Sequence, residues 1–375
     1  MNRKLKVAIV HDWFTVDGGA EKVCREIINL YPEADVFSLI DFLSDSDRIT
    51  ILKGKKSTTS IIQKFPFAKK YYRYYLPWFP YAIEQINLTN YDLIISSSYA
   101  VAKGVLTHSN QVHVCYCHSP MRYLWDLYFS YIPKSKWSNF PIAYFMRHYI
   151  SKLRQWDVIS SNRVDAFIAN SNNIAKRIKK VYRRESTVVY PPLFTDKFPL
   201  VNLKEDYYVS ASRLVPYKKV ELAILAFKKL PNKRLKIIGD GPEYLKLRQL
   251  AKGSPNIEML GFLEEADFAS VIGKAKAFIN SSFEDFGIAP VEAQACGTPI
   301  IGYAKGGVLE TTIENNTAIY FHEQTPEAII EAVEKFEKAT LWTAQEIHKY
   351  ASSFNNERFA KEFTKVVEQC LSSHF

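Results

Sequence analysis

Along the chain, short apolar runs alternate with longer stretches in which apolar positions recur every three or four residues. "LKVAIVHD" reads as a buried strand and "WFTVDGG" as a loop. "AEKVCREIINLY", with Val23, Ile27, Ile28 and Leu30 at helical spacing, reads as a helix. "ADVFSLI", "YDLIISSS", "VHVCYCH" and "VDAFIANS" continue the alternation, which predicts βα units around a parallel sheet. The rhythm pauses in "YPPLFTDKFPLVNLKED", where Pro191, Pro192 and Pro199 remove helix donors. It then restarts: "YYVSASRL", "RLKIIGDGP", "IEMLGFL", "KAFINSS" and "TPIIGY" read as strands, with helices between and after them. The pattern predicts two doubly wound α/β domains facing each other across a cleft, residues 1–195 and 196–355. A last helix, residues 356–375, is expected to pack back towards the N-terminal domain.

The length of 375 residues, more than one hydrophobic core usually supports, agrees with two domains. The net charge of +10 is unevenly shared. Residues 1–199 carry 28 Lys and Arg against 16 Asp and Glu, and the remainder 21 against 23. An anionic partner for the N-terminal half follows, with membrane surface, nucleic acid and phosphorylated substrate as candidates. "KGKKSTTSIIQKFPFAKKYYRYYLPWFP", residues 53–80, has seven basic residues and no acidic one among its aromatics. That is the composition of a surface-lying membrane segment, and equally of a solvated charged face over an aromatic core. A second basic cluster, "KRIKKVYRR" at 176–184, favours the membrane. No RNA-binding signature accompanies either segment, so nucleic acid is not expected.

The N-terminal apolar run "VAIV" is too short for a signal peptide, and no stretch approaches the roughly 18 apolar residues of a spanning helix. Five scattered cysteines, with Cys115 and Cys117 in a C-x-C rather than a C-x-x-C arrangement, suit a reducing cytoplasm. A cytoplasmic protein, peripheral on the inner face of the membrane, is expected.

The densest chemistry lies in "SSFEDFGIAPVEAQACGTPIIGYAKGG", residues 281–307. Glu284 follows a strand-like run, at the carboxyl end where open α/β sheets place their ligands. A helix beginning near Pro290 and ending at Gly297 would put Glu292 in its first turn, with Gly287 allowing close backbone approach. Carboxylates accept from hydroxyls and free helix-start N–H groups favour phosphate, so a sugar joined to a phosphate satisfies both. Simple stabilisation of the helix N-terminus is the other reading of Glu292. Arg213 and Lys218 follow a strand and offer a fork and a point charge to phosphate oxygens, or are surface charge. His118 also stands at a strand's end, where a satisfied core histidine is the ordinary reading.

The run E-D-F-G-I-A-P-V-E-A-Q-A-C-G-T-P-I-I, followed by G-G-V-L-E, resembles the E-x7-E segment of family 4 of the retaining glycosyltransferases. "DGGAEK", "SASRLVPYKK" and "IIGDGPEYLKL" resemble other segments of that family in order. "CYCHSPMRYLWD" resembles the central His segment of bacterial mannosyltransferases of O-antigen and related surface polysaccharide assembly. The resemblance implies the GT-B fold: two facing Rossmann-like domains, the first binding acceptor and the second donor. It implies that Arg213 and Lys218 hold the donor's diphosphate, Glu292 the ribose and Glu284 the transferred sugar. It also places backbone N–H groups around Phe286, Gly287 and Ile288 at the sugar and phosphate, Gly18 and Gly19 near the phosphates, and His118 against the sugar.

The implied activity is transfer of a hexose with retention of configuration, mannose from GDP-mannose, to a lipid-linked saccharide in O-antigen or capsule synthesis. No divalent metal or cofactor is implied. A UDP-hexose or other nucleotide-sugar donor is the alternative, and a non-catalytic membrane- or polysaccharide-binding protein a remote one. A dinucleotide oxidoreductase fits poorly. "VDGGAEK" lacks the G-x-G-x-x-G spacing, and "GDGPEY" has Tyr244 where the third glycine belongs.

Overall fold

The computed structural model describes residues 5–131, 141–340 and 342–374. Its contacts divide the chain into two compact units. One runs to Tyr190 and takes the chain back from Phe359; the other is Pro191–Arg358. The boundary therefore falls at Tyr190/Pro191, where the first proline of the pause stands, rather than at 195/196, and the return is at Phe359 rather than 356.

The first unit is built on seven parallel strands: β1 (Val7–His11), β2 (Asp35–Ser38), β3 (Thr58–Thr59), β4 (Leu93–Ser98), β5 (Val112–Cys117), β6 (Ala166–Ala169) and β7 (Thr187–Val188). Their order in the sheet is β3-β2-β1-β4-β5-β6-β7. Every residue of β1, β4 and β5 is buried, as expected of central strands covered on both faces. Side chains alternate across the sheet. Ile9, Ile95, Val114 and Ile168 join one core, Ala8, Val10 and Ile94 another. The first core is closed by the helix Gly19–Leu30 through Val23, Cys24, Ile27 and Ile28. It is also closed by the helix Asn356–His374, which buries Phe359, Phe363, Val366 and Val367 there.

The second unit has six parallel strands: β8 (Tyr208–Ala211), β9 (Leu235–Ile238), β10 (Ile257–Gly261), β11 (Ala277–Asn280), β12 (Ile300–Tyr303) and β13 (Ala318–Phe321), in the order β10-β9-β8-β11-β12-β13. In both sheets the order reverses once. The reversal lies between β1 and β4 in the first and between β8 and β11 in the second. Connections leave in opposite directions at such a point and open a crevice at the strands' carboxyl ends, where ligands of doubly wound sheets bind.

Candidate functional site

The loops that leave the second sheet's reversal are Ser212–Lys219 after β8 and Ser281–Gly287 after β11. They carry five of the expected residues, Arg213, Lys218, Glu284, Phe286 and Gly287, and bring Lys218 and Glu284 together. Lys218 Nζ lies 2.7 Å from both carboxylate oxygens of Glu284. Ser282 Oγ donates to the same carboxylate. Burial alone would lower the Lys218 pKa, but the adjacent Glu284 charge and hydrogen bond, with Tyr217 and Asp285, hold it above the ordinary lysine value. The pair is charged and partly open, with side chains 15% and 13% exposed. Arg213 is not drawn into it; its side chain is exposed.

The backbone of the Glu284 loop is fixed by the two glycines at the end of the segment. Gly307 N–H donates to Glu284 O at 2.9 Å. A Cβ on Gly307 would lie 2.3 Å from the Phe286 backbone, and one on Gly306 2.3 Å from Glu284 O. Only residues without a side chain allow the two loops to run this close. At Gly287 the chain adopts φ +91° and enters the helix Ile288–Ala295, which ends in a Schellman motif, with Thr298 N–H on Ala293 O and Gly297 N–H on Gln294 O.

The helix thus starts at Ile288, two residues before Pro290. Pro290 is its third residue, still among the first four positions, whose N–H groups have no intrahelical acceptor. This corrects the placing of Glu292, which stands in the second turn and is 5% exposed. The attraction between a carboxylate and the helix dipole fades beyond the first turn, so stabilisation of the helix start does not explain a charge buried there. By helix geometry the Ile288 and Ala289 N–H groups point out of the helix start, beside Phe286 and Gly287.

At the first sheet's reversal the groups are different. His11 ends β1 and is fully buried; it stands beside Ser97 of β4 in the register. Ser97 Oγ lies 3.1 Å from His11 Nδ1 and 2.9 Å from Nε2 of His118, which follows β5. Burial, and then the neighbouring His11, push the His118 pKa down to about 3, so His118 is a neutral imidazole at ordinary pH. Asp12 accepts four backbone N–H groups, from Tyr99, Ala100, Val101 and Ala102, at 2.6–2.9 Å, which ties the loop after β1 to the turn after β4. Gly18 and Gly19 open the helix Gly19–Leu30. Sequence reasoning passed over His11, Ser97 and Ser282. The signal to be found was "ISSS" and "NSS": hydroxyls closing otherwise apolar strands, just where a crevice begins.

The basic clusters behave differently from each other. In 53–80, Ile62, Tyr72 and Phe79 are buried, while Phe67 is 79%, Tyr74 80% and Trp78 52% exposed, as is the adjoining Tyr81 at 52%, beside exposed Lys69, Lys70 and Arg73. In 176–184, two cations are consumed internally. Arg177 is buried against Asp126 at 2.5 Å and Ser119 at 2.7 Å, and Arg184 donates to the Ser161, Val164 and Asp165 carbonyls. Among the described residues no helix is long and apolar enough to cross a membrane.

Residues 17–197 match the family model described as Glycosyltransferase Family 4, and residues 193–354 the one described as Glycosyl transferases group 1. The chain is 22% identical over 280 residues to a phosphatidylinositol N-acetylglucosaminyltransferase subunit of Arabidopsis thaliana, with 70% of this chain and 61% of that protein aligned. It is 34% identical over 131 residues, 32% of each chain, to the GDP-mannose-dependent monoacylated alpha-(1-6)-phosphatidylinositol monomannoside mannosyltransferase of Corynebacterium glutamicum. The chain thus spans between a third and three fifths of these relatives' length. The crystal structure of Anabaena HepE in complex with UDP and glucose has the same fold. Its TM-score is 0.71 at 17% identity, over 97% of this chain and 99% of that one.

Proposed function

The chain belongs to the family 4 glycosyltransferases of GT-B fold, and from that premise we propose that it transfers a hexose from a nucleotide sugar, with retention of configuration, to a lipid-linked saccharide. The observation that carries this reading is the Lys218–Glu284 pair at the reversal of the second sheet: one cation and one acceptor, both partly reachable. Breaking a sugar–phosphate bond develops negative charge on the leaving diphosphate and positive charge on the ring, so catalysis calls for cations at the first and oriented acceptors at the second. In this reading Lys218 and the exposed Arg213 take the diphosphate. Glu284, released from Lys218 as phosphate replaces it, accepts from the sugar hydroxyls. Glu292 holds the ribose, and the N–H groups around Phe286, Gly287 and Ile288 complete the donor's contacts in the second unit; in the first unit, Gly18, Gly19 and His118 are the residues proposed for substrate.

Mannose from GDP-mannose is the proposed donor. The name of the Corynebacterium relative supports it, and a UDP-hexose is the competitor to exclude. Metal independence belongs to the same proposal, since two side-chain cations do a metal's task at the phosphates; chelator in the assay tests it. The exposed aromatics and cations of 67–81 support docking on an anionic membrane surface, where the acceptor resides. Peripheral binding at the cytoplasmic face, in surface-polysaccharide assembly, completes the reading.

A panel of nucleotide sugars in a transfer assay, with calorimetry for binding, tests the donor; GDP-mannose should bind and turn over above the others. Glu284→Gln should lower kcat/KM for that donor at least tenfold. A change of under about threefold, roughly 0.7 kcal/mol of barrier, removes Glu284 from the mechanism.

A further inference from the structure

Ser97 has one proton and stands between two imidazole nitrogens, so it donates to one and accepts from the other. What sets the direction lies on the far side of His11. His11 Nε2 is buried, makes no hydrogen bond, and lies 3.5 Å from Oε1 of Glu21, itself 5% exposed in the first turn of the helix Gly19–Leu30. Glycine at residue 18 leaves the carboxylate room in that position. A Cβ at that position would come within 2.7 Å of Glu21 Oε2. The other nearby carboxylate, Asp12, is taken up by its four backbone N–H donors.

A carboxylate only accepts, so the favourable His11 tautomer carries its proton on Nε2, towards Glu21. His11 Nδ1 is then an acceptor and takes the Ser97 hydroxyl proton. Ser97 Oγ in turn accepts from His118, whose proton must be on Nε2. That leaves His118 Nδ1 with its lone pair. With His11 neutral, the reverse direction would set its bare Nε2 against the Glu21 carboxylate, two acceptors face to face in a buried site.

We propose that Glu21, His11 and Ser97 are positioning residues that hold His118 as its Nε2–H tautomer and present its Nδ1 as a hydrogen-bond acceptor to a substrate hydroxyl. The proposal rests on the glycosyltransferase reading for its substrate, but not for its geometry. The low pKa of His118 fits the same role, because an imidazolium has no lone pair to offer. A neighbouring histidine shows the contrast. His113, on the strand that leads to His118, has Nδ1 facing the Arg163 carbonyl at 3.2 Å and Nε2 on Ser96 at 2.8 Å, so both nitrogens are used inside the core.

Histidine-selective 15N labelling of the full chain, with two-bond proton–nitrogen correlation spectra at pH 8, reads the tautomers directly; His118→Gln assigns the His118 signals. The expected result is a single Nε2–H form for His11 and His118. Glu21→Gln supplies an amide that can donate to His11 Nε2, and should move His118, three groups away, partly or wholly to the Nδ1–H form. Ser97→Ala should leave His118 as a tautomer mixture, and Ser97→Thr, which keeps the hydroxyl, should restore the single form. With the donor identified in the panel, Ser97→Ala and Glu21→Gln should each lower kcat about tenfold with KM within threefold. Native His118 protonated on Nδ1, or an unchanged His118 tautomer in both Glu21→Gln and Ser97→Ala, overturns the proposal. Failure of every nucleotide sugar to be turned over counts against the glycosyltransferase reading instead, and the spectra still decide the tautomer.

Discussion

Each unit holds a lysine paired with a carboxylate just beyond a central strand, and the two pairs differ in what can reach them. Beyond β4, Lys103 Nζ lies 2.5 Å from Asp157 Oδ1, with the side chains 1% and 0% exposed. Trp125 and Tyr182 donate to the same carboxylate, and the ammonium lies 5.4 Å from the ring of Trp156. Beyond β8, Lys218 meets Glu284 with both side chains partly open and Ser282 as a further partner of the carboxylate. Two desolvated charges that nothing can reach serve only to join the elements that carry them. A pair that solvent reaches can exchange partners, and a diphosphate is a stronger partner for a lysine than one carboxylate. Accessibility, rather than residue type, separates scaffold from site.

The sealed pair should give the largest response to mutation, and the response should be in stability. Lys103→Met leaves the Asp157 charge buried without its cation, and about 3–5 kcal/mol of stability should be lost from the first unit. Hydrogen-exchange protection resolved by unit measures this, and a loss confined to the first unit is expected. Under about 1 kcal/mol would mean that water reaches Asp157 and that the contrast is false. Lys218→Ala should do the opposite. A fall of about 10²- to 10³-fold in kcat/KM, roughly 3–4 kcal/mol in barrier, is expected with near-native protection in both units. If Lys218→Ala instead unfolds the second unit while leaving turnover per folded molecule intact, its ion pair is scaffold as well.

Much of this arrangement is legible in the residues, and what is not has identifiable physical reasons. The central strands announce themselves because strands buried on both faces are continuous apolar runs. The two-residue edge strands Thr58–Thr59 and Thr187–Val188 carry no such run and are found only through pairing. The start of the helix Ile288–Ala295 is misplaced because proline is tolerated at any early position, so Pro290 does not fix which one it occupies. Glu284 and Lys218 are both nominated by the sequence, but for different parts of a ligand. Their contact spans 66 positions and follows from β8 lying beside β11. The same holds for His11 and Ser97, 86 positions apart, which no spacing rule connects.

The contrast extends to acid. His113 and His118 have pKa values lowered to about 4 and about 3, chiefly by burial, against about 6.5 for an unfolded histidine. Between those limits the unfolded chain binds more protons than the folded one. The stability of the first unit is therefore full above about pH 6.5 and declines as pH falls towards 4. In the second unit, burial works against the charge on Glu337, but hydrogen bonds from Lys276, Tyr208 and Lys233 outweigh it and lower its pKa to about 2. Its contribution is untouched until about pH 4.5 and is lost only below that. From pH 7 to pH 5, His113 alone should cost the first unit about 2 kcal/mol. Protection factors at the two pH values should fall in the first unit and hold in the second. Loss of protection in the second unit first would show that its acid response is not set by Glu337.

The smallest effect tests whether the reachable pair is also accurately placed. Gly306 adopts φ +76°, and a Cβ there would lie 2.3 Å from Glu284 O and 2.5 Å from the Phe283 ring. Gly253, in the same unit, adopts φ +79° with nothing within 4 Å of its Cβ position. Alanine at either position incurs the left-handed backbone cost of about 1–2 kcal/mol, and at 306 the clash adds to it, so Gly306→Ala should lose more stability than Gly253→Ala in denaturant unfolding. Only Gly306→Ala must also push the Glu284 loop away from Lys218. A displacement approaching about 1 Å at a reacting group costs up to about 10²-fold in rate, and a loss of about tenfold in kcat/KM is expected for Gly306→Ala against none for Gly253→Ala. Equal activity in the two variants would show that the Glu284 carboxylate finds its position whatever its backbone does, and that the glycine pair serves the turn alone.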